Sequence, residues 1–488
     1  MAVSAIPAPL LATMDDVRKQ GAEFNGDDSP SETYYGYLTE IEQVQYKEGG
    51  PILQSVQLEL VPFEWIEAAV MNLGDSVRDL PPPAPVTLLV FDDAPLEEVA
   101  EALGTTAGDI AEGDWYILTV PSHSGRSAKR ARPVFDTTVI PLKAAGRKLT
   151  GPKLTRLRRR YKPIARIDLA KLIKMLMAIQ PREVGVMDTG QASCNLIYDA
   201  NGIPQIYVDA GLPMFPNFAS MPPANALGNV EIINPGPCLA NNPPGILTHF
   251  HWDHYSMLGM SANAAALRNR DWIFPPQVAG PFLAGVILGI NGSPNGQVHI
   301  FPAGLGVLPG GYVNIIQCVP GAGVAPGDLN NTGLAVIVHL DIPNNRDMLL
   351  PGDAAFQSIP GLGGFGGLRW MTATHHGSAT NLVPPPAPLA APPIPAPYAA
   401  NQGRLAYSYG VNGGVPGGVH CYGHPNPAAV AAYPVAGWGN FLHVASTAET
   451  GPNSGVAGRG NIMMANNVVP PACGVANCPF HVFPKTLQ

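Results

Sequence analysis

The run Thr248-His249-Phe250-His251-Trp252-Asp253-His254 carries four side chains of metal-ligand type within six positions. It follows Gly245-Ile246-Leu247, an apolar approach that reads as the end of a strand. Alternate residues share a side on extended backbone, so the His249 and His251 imidazoles are expected to point the same way. Asp253 and His254 then turn into a helix expected to start near Tyr255. Two imidazoles can hold one ion, and the carboxylate with the third imidazole can hold a second beside it. Imidazole plus carboxylate suits zinc, manganese or iron. Two ions about 3.5–4 Å apart can activate a bridging water and stabilise a leaving oxygen. The bland alternative is a surface-exposed histidine cluster, which the density of ligands in one short string disfavours.

The elements that must position this string are short and numerous. Gly (54) and Pro (53) make about a fifth of the 488 residues, which implies many loops but not disorder throughout. The hydrophobic share of 46% is ample for a core, and the length implies two or more domains. Residues 1–125 read as a small α+β domain whose role the sequence does not name. Within it, 1–30 look like a flexible arm and 33–70 like a β-hairpin around a Lys-Glu-Gly-Gly turn. LEEVAEALG at 96–104 has helical spacing with Gly104 as a stop, and DWYILTV at 114–120 reads as a strand. Residues 126–182 read as a basic linker ending in an amphipathic helix over 166–179. From 183 to 470 short strands, the ligand string and helices alternate, with a Pro/Ala-rich surface loop at 384–398. Residues 471–488 form a C-terminal tail.

The net charge of −8 is uneven: residues 126–182 hold 17 of the 28 Lys and Arg, against only Asp136 and Asp168. Such a run is either a solvated linker or a patch for a polyanion, a nucleic acid being the sharper reading. The six Cys (194, 238, 318, 421, 473, 478) are scattered and imply no disulfide framework. Cys473, Cys478 and His481 could be three zinc ligands but have no clear fourth, so unremarkable cysteines are the default. The N-terminal stretch lacks the basic and apolar regions of a signal peptide. Val278 to Ile290 is too short to span a bilayer and contains Pro281. A protein of the cytoplasm with no membrane span is expected.

The His-x-His-x-Asp-His string resembles the signature of the metallo-β-lactamase superfamily, and the flanking order extends the resemblance. Asp209 in YVDAG matches the early strand-end Asp that supports the metal loop. MLLPGDA at 348–354 is similar to the later acidic motif, which implies that Asp353 bridges two ions. TATHHGS at 372–378 resembles the last ligand motif, which implies His375 or His376 as ligand, with His375 favoured because it follows the strand more directly. MDTGQAS at 187–193, NNTGLAVIVHL at 330–340, HHGS at 375–378 and YGHPNP at 422–427 resemble, in order, the soluble nuclease-like domain of the DNA-uptake competence (ComEC-like) branch. The resemblance covers about 183–470. Two departures stand out. Gln191-Ala192-Ser193 replaces a Gly-containing opening, and the turn DLNNTG has Asn330 or Asn331 where many members carry a third His. His299 and His339 lie nearby but sit in apolar strand-like runs and are expected to be packed there.

The resemblance implies an α/β fold: an αββα metallo-β-lactamase sandwich over 183–470, preceded by the small α+β domain and the basic linker. It implies two divalent metal ions, zinc or manganese, held by His249, His251, Asp253, His254, Asp353 and His375. The expected activity is that of a metal-dependent hydrolase, a phosphodiesterase or nuclease working through a metal-bound hydroxide, with Asp253 and His424 as catalytic residues. Pro425 and Pro427 would hold His424 rigidly, either to donate a proton to the leaving oxygen or to bind phosphate; a purely structural turn His is the alternative. The substrate is a phosphodiester, with the basic 126–182 segment offering a nucleic acid its docking patch. Hydrolysis of a small phosphodiester or other small ester, and a binding or scaffold role with a retained metal site, are the competing readings.

Overall fold

A computed structural model describes residues 31–44, 53–72, 81, 84, 86–121, 130–133, 140–141, 146–162, 168–213, 241–261, 263–321, 324, 327–341, 344, 346–362, 365, 367–378, 394–399, 402–409, 425–438, 444–447, 460–465 and 485–487. His424, the Cys473, Cys478 and His481 group, the arm at 1–30 and most of the Pro/Ala loop lie outside the described residues. The chain is mixed α/β and divides into two compact units at residues 164/165, with Val278–Gly289 returning to the first.

In the first unit, Ser31–Val44 and Leu53–Pro62 form the expected antiparallel hairpin. Thr87–Ala94 and Trp115–Pro121 flank it on either side. Period-two alternation gives this sheet two apolar faces. Leu38, Leu58, Leu89 and Val99 pack on one face, and Tyr35, Tyr37, Trp115 and Tyr161 on the other. Leu96–Ala102 is the expected helix, closed by Gly104 at φ +66. The second face also takes Ala284 from Pro281–Asn291, the apolar stretch noted in the sequence. The buried Glu59 carboxylate accepts from Phe282 N–H at 2.8 Å.

The basic run is not a linker in its described parts. Arg130–Pro133, Ile140–Pro141 and Arg147–Lys148 extend the first sheet at its two edges. Gly151–Arg160 is a helix that buries Leu157 and Arg160. Strand pairing uses the backbone alone, so a basic sequence joins a sheet edge readily. Composition cannot report that.

The second unit holds two sheets. One runs, in spatial order, Gln297–Ile300, Asp271–Phe274, Gly245–Ile246, Pro204–Val208, Asn195–Tyr198, Glu183–Val186, Ile462–Ala465 and Lys485–Leu487. The other runs Val307–Leu308, Val313–Gln317, Leu334–Asp341, Arg346–Leu350, Leu368–Thr372, Arg404–Tyr407 and Val444–Ser446. Val184, Ile197, Val208 and Ile246 of the first share one core with Ile315, Val336, Met348 and Trp370 of the second. Leu172 and Leu176 of the helix Leu169–Met177 join that core. Each such side chain contributes roughly 1.5–3 kcal/mol when fully buried. Ala335, Ile337, Leu349 and Met371 point the other way and pack with Tyr433 of the helix Pro427–Val435. Both faces of the second sheet are therefore buried, which is why its strands read as unbroken apolar runs. The expected tail contributes an edge strand, Lys485–Leu487, beside Ile462–Ala465.

Candidate metal centre

The strand Gly245–Ile246 lies between Pro204–Val208 and Asp271–Phe274, parallel to both. The chain leaves its end as extended backbone and coils into Trp252–Tyr255. The helix thus begins earlier than expected and already contains Asp253 and His254. His251 is still extended, at φ −91 and ψ 150. The His249 and His251 rings accordingly lie on the same side, 4.6 Å apart between centroids, and His254 turns back to 4.0 Å from His249.

Two groups of ligand atoms result: Asp253, His254, Asp353 and His376, and His249, His251 and Asp353. Either could hold a metal ion. Asp353 is shared, because its two oxygens face different ways. Its Oδ1 is 3.2 Å from His254 Nε2, and its Oδ2 is 3.6 Å from His249 Nε2. Asp353 follows the strand Arg346–Leu350 across a two-residue turn, so the second sheet delivers this carboxylate to the ligands from the first.

The last motif differs from the expectation. His376, not His375, joins the four-membered group, with its Nε2 3.0 Å from Asp253 Oδ2. His375 instead places Nε2 at 3.6 Å from Asp353 Oδ2, on the His249 side. Ala373 and Thr374 separate these histidines from the strand, and His375 and His376 both take left-handed backbone, at φ 45 and φ 52. Such backbone is uncommon outside glycine and is held here by the surrounding structure.

Tautomers follow from the outer hydrogen bonds. His376 Nδ1–H donates to Ser408 O at 2.6 Å, and His254 Nδ1–H donates to Asp209 Oδ2 at 2.9 Å. Thr248 Oγ1 donates to Asp209 Oδ2 at 3.0 Å and lies 3.1 Å from His249 Nδ1, whose N–H it can accept. In each ring Nε2 is left to face the cluster, the arrangement found around metal-ligating imidazoles. Asp209 is fully buried, at φ 64, and also accepts from Thr248 N–H at 2.8 Å. It supports the loop and belongs to neither ligand group. The opening motif has a similar role: Ser193 N–H donates to Asp253 O, and Ser408 Oγ to Ala192 O. Gly211 lies so close to this loop that a Cβ there would stand 1.5 Å from Asp253 O.

The residues fit a divalent cation. His249 Nε2, His254 Nε2 and Asp253 Oδ1 are buried without a hydrogen-bond partner. Nitrogen–oxygen separations of 3.2 to 3.6 Å across the cluster match the edge of a tetrahedron with bonds of ~2.1 Å, about 3.4 Å. The charges agree. Burial and then the charge of His254 push His249 well below the ordinary imidazole range, against the pull of Asp353. Burial opposes charge on His254 as well, but Asp353, Asp209 and Asp253 outweigh it and raise its pKa well above the usual value. Burial likewise opposes the Asp353 carboxylate, yet His254, His375 and His249 hold it well below the usual range. Protons on imidazole are the only positive charge these residues can supply, and a metal ion would displace them.

Of the other expected ligand residues, the structure brings His249, His251, Asp253, His254 and Asp353 together. His299 and His339 lie in strands and pair with Asp271 and Asp347 instead, as their apolar context implied. The described end of the YGHPNP motif meets the HHGS turn through Asn426 N–H donating to Gly377 O at 2.9 Å. Thr248, Ser408 and Gln277 were not foreseen as supports; Thr248 stands in the ligand string, while the other two carry no local signal. Among the described residues no helix is long and apolar enough to cross a membrane. Compared with known protein families the chain matches none, and it matches no curated protein.

Proposed function

We propose that this protein is a dinuclear metal-dependent hydrolase of the metallo-β-lactamase type whose substrate is a phosphodiester. The observation that carries this reading is the Asp353 carboxylate, shared between a His249–His251 group and an Asp253–His254–His376 group. Two sheets around one core, with ligands arriving from both, support an αββα sandwich as the scaffold. Zinc or manganese ions held there would supply an activated water and positive charge for a phosphoryl oxygen. Asp209, Thr248 and Ser408 keep the imidazoles in the tautomer that presents Nε2. Burial of the whole cluster excludes bulk water from the charges.

Within that class, the structure favours a small diester over a long nucleic acid. Several cations of the basic run are paired with carboxylates of the same chain at partly exposed positions. Lys148 and Arg158 pair with Asp114, Lys153 with Glu67, and Lys171 with Asp271. Arg156 donates to Met71 O. These charges are less available to a phosphate backbone than the sequence implied.

Metal analysis should find two ions per chain, with hydrolysis of bis-p-nitrophenyl phosphate that is lost in His251→Ala. A fully metal-loaded chain that leaves every diester from this compound to plasmid DNA intact would sink the reading. Salt then separates the two substrate classes. Activity on a nucleic acid should fall steeply with salt, whereas a small diester should show little change.

A further inference from the structure

The two ligand groups are unequal. One offers four protein donors and the other three, His249, His251 and Asp353. The turn beside the smaller group holds one further buried oxygen donor. Asn330, in the short helix Asn330–Thr332, is 9% exposed and its Oδ1 is buried with no hydrogen-bond partner. We propose that the Asn330 carboxamide oxygen is a fourth protein ligand to a divalent ion held by His249, His251 and Asp353. This rests on the dinuclear reading above and adds a residue to it.

The neighbours of Asn330 fix its place. Leu329 O accepts from Gln277 Nε2 at 2.6 Å, and Gln277 Oε1 accepts from Phe250 N–H at 2.9 Å, between His249 and His251. On the other side, Asn331 Oδ1 accepts from Ala355 N–H at 3.0 Å, two residues past Asp353. Leu334 N–H donates to Thr248 O at 2.7 Å, and a Cβ on Gly333 would stand 2.9 Å from His249 Cβ. Residues 329, 331, 333 and 334 are thus tied to the two loops that supply the three-donor group, and Asn330 lies among them.

The other polar side chains of the turn all have hydrogen-bond partners. Asn331 N–H and Nδ2 donate to Asp328 Oδ1, and Thr332 Oγ1 donates to Asp328 O. Asn330 has no such role. A buried carbonyl oxygen needs a donor or a cation. A phosphodiester oxygen is itself an acceptor and cannot satisfy it, whereas a divalent ion can. As a neutral oxygen ligand it binds less tightly than imidazole or carboxylate. The four-donor group should therefore fill first, and the group containing Asn330 second.

The test is zinc titration of the metal-free full chain against a chromophoric chelator, resolving the first-bound and second-bound ion. In Asn330→Ala the second ion should bind about tenfold more weakly while the first is unchanged, the scale of effect seen for groups around metal sites. In the isosteric Asn330→Asp the second ion should bind more tightly, because the new carboxylate adds charge without changing volume. Thermal melting of the metal-free variants checks the fold. If Asn330→Ala fails to fold, an unmoved second-ion affinity in Asn330→Asp overturns the assignment. Two ions bound with wild-type affinities in both variants, or both ions weakened alike, overturn it while leaving the dinuclear site intact. Wild-type chain that takes up fewer than two zinc ions overturns both.

Discussion

Three histidine–aspartate clusters in the second unit use nearly the same residue types and solve two opposite problems. At the edge of the first sheet, His299 Nε2 lies 3.3 Å from Asp271 Oδ1, and Lys171 Nζ reaches the same carboxylate at 3.0 Å. The ammonium group supplies the positive charge, so this cluster closes on itself. His339 closes in another way, donating from Nδ1 to Asp347 at 2.7 Å while Asn314 Nδ2 donates to its Nε2 at 2.9 Å. Around Asp353 the groups that hold the carboxylate well below its usual range are the imidazoles of His254, His375 and His249. Several imidazoles and two carboxylates converge there and leave atoms without hydrogen-bond partners. The lesson is that histidine and aspartate in contact do not define a metal site. What sets this cluster apart is that two ligand groups share one carboxylate while the ring nitrogens His249 Nε2 and His254 Nε2 face it without hydrogen-bond partners.

That comparison breaks most visibly at Asp353. Asp353→Asn removes the shared charge and should leave the chain with less than its full complement of ions, lowering hydrolysis by orders of magnitude. Metal content by plasma emission and a diesterase assay measure this, and two tightly held ions in the variant would contradict the assignment. Next in size, zinc at a hundredfold excess over its dissociation constant should stabilise the native chain by ~2.7 kcal/mol. The same gain is expected in Lys171→Met, whose cluster needs no metal; denaturant melts with and without zinc report it. Asp209→Asn should weaken zinc binding by about 10–100-fold, since Asp209 orients the His254 ring from outside both ligand groups. Competition titration against a chelator checks that figure.

The smallest effect sharpens the other side of the comparison. Lys171→Met should cost only about 0.5 kcal/mol, because the pair is partly exposed and screened. Its pH dependence has a definite sign. Burial opposes charge on Asp271, but His299 and Lys171 outweigh it and hold the carboxyl below its ordinary value. A folded pKa below the unfolded one stabilises the native state above the unfolded value, near ~3.9, and that stability fades as pH falls through the folded pKa. The wild-type advantage over Lys171→Met should therefore be present at about pH 6 and shrink below about pH 4. Urea melts at both values measure it, and an advantage that grows toward acid would refute the pairing.

The sequence by itself determined what depends on local order. Alternation at His249 and His251 follows from extended backbone. The hairpin at Ser31–Val44 and Leu53–Pro62 and the helix Leu96–Ala102 follow from period and from Gly104. Asp353 was legible only through the resemblance of MLLPGDA at 348–354 to a known acidic motif. Tertiary structure decided the rest, where groups meet across long chain separations. Whether His375 or His376 reaches Asp253 depends on two left-handed residues and on Ser408, 32 positions on. Whether a basic run is a free patch depends on Asp114 and Glu67, far upstream of the cations they hold. The role of Asn330 depends on Gln277 and Ala355 drawing its turn against the ligand loops. Ligand type is a property of a side chain and can be read along a chain. Which charges are neutralised, and which buried oxygen is left over, are properties of a packed interior and exist only once the sheets have closed.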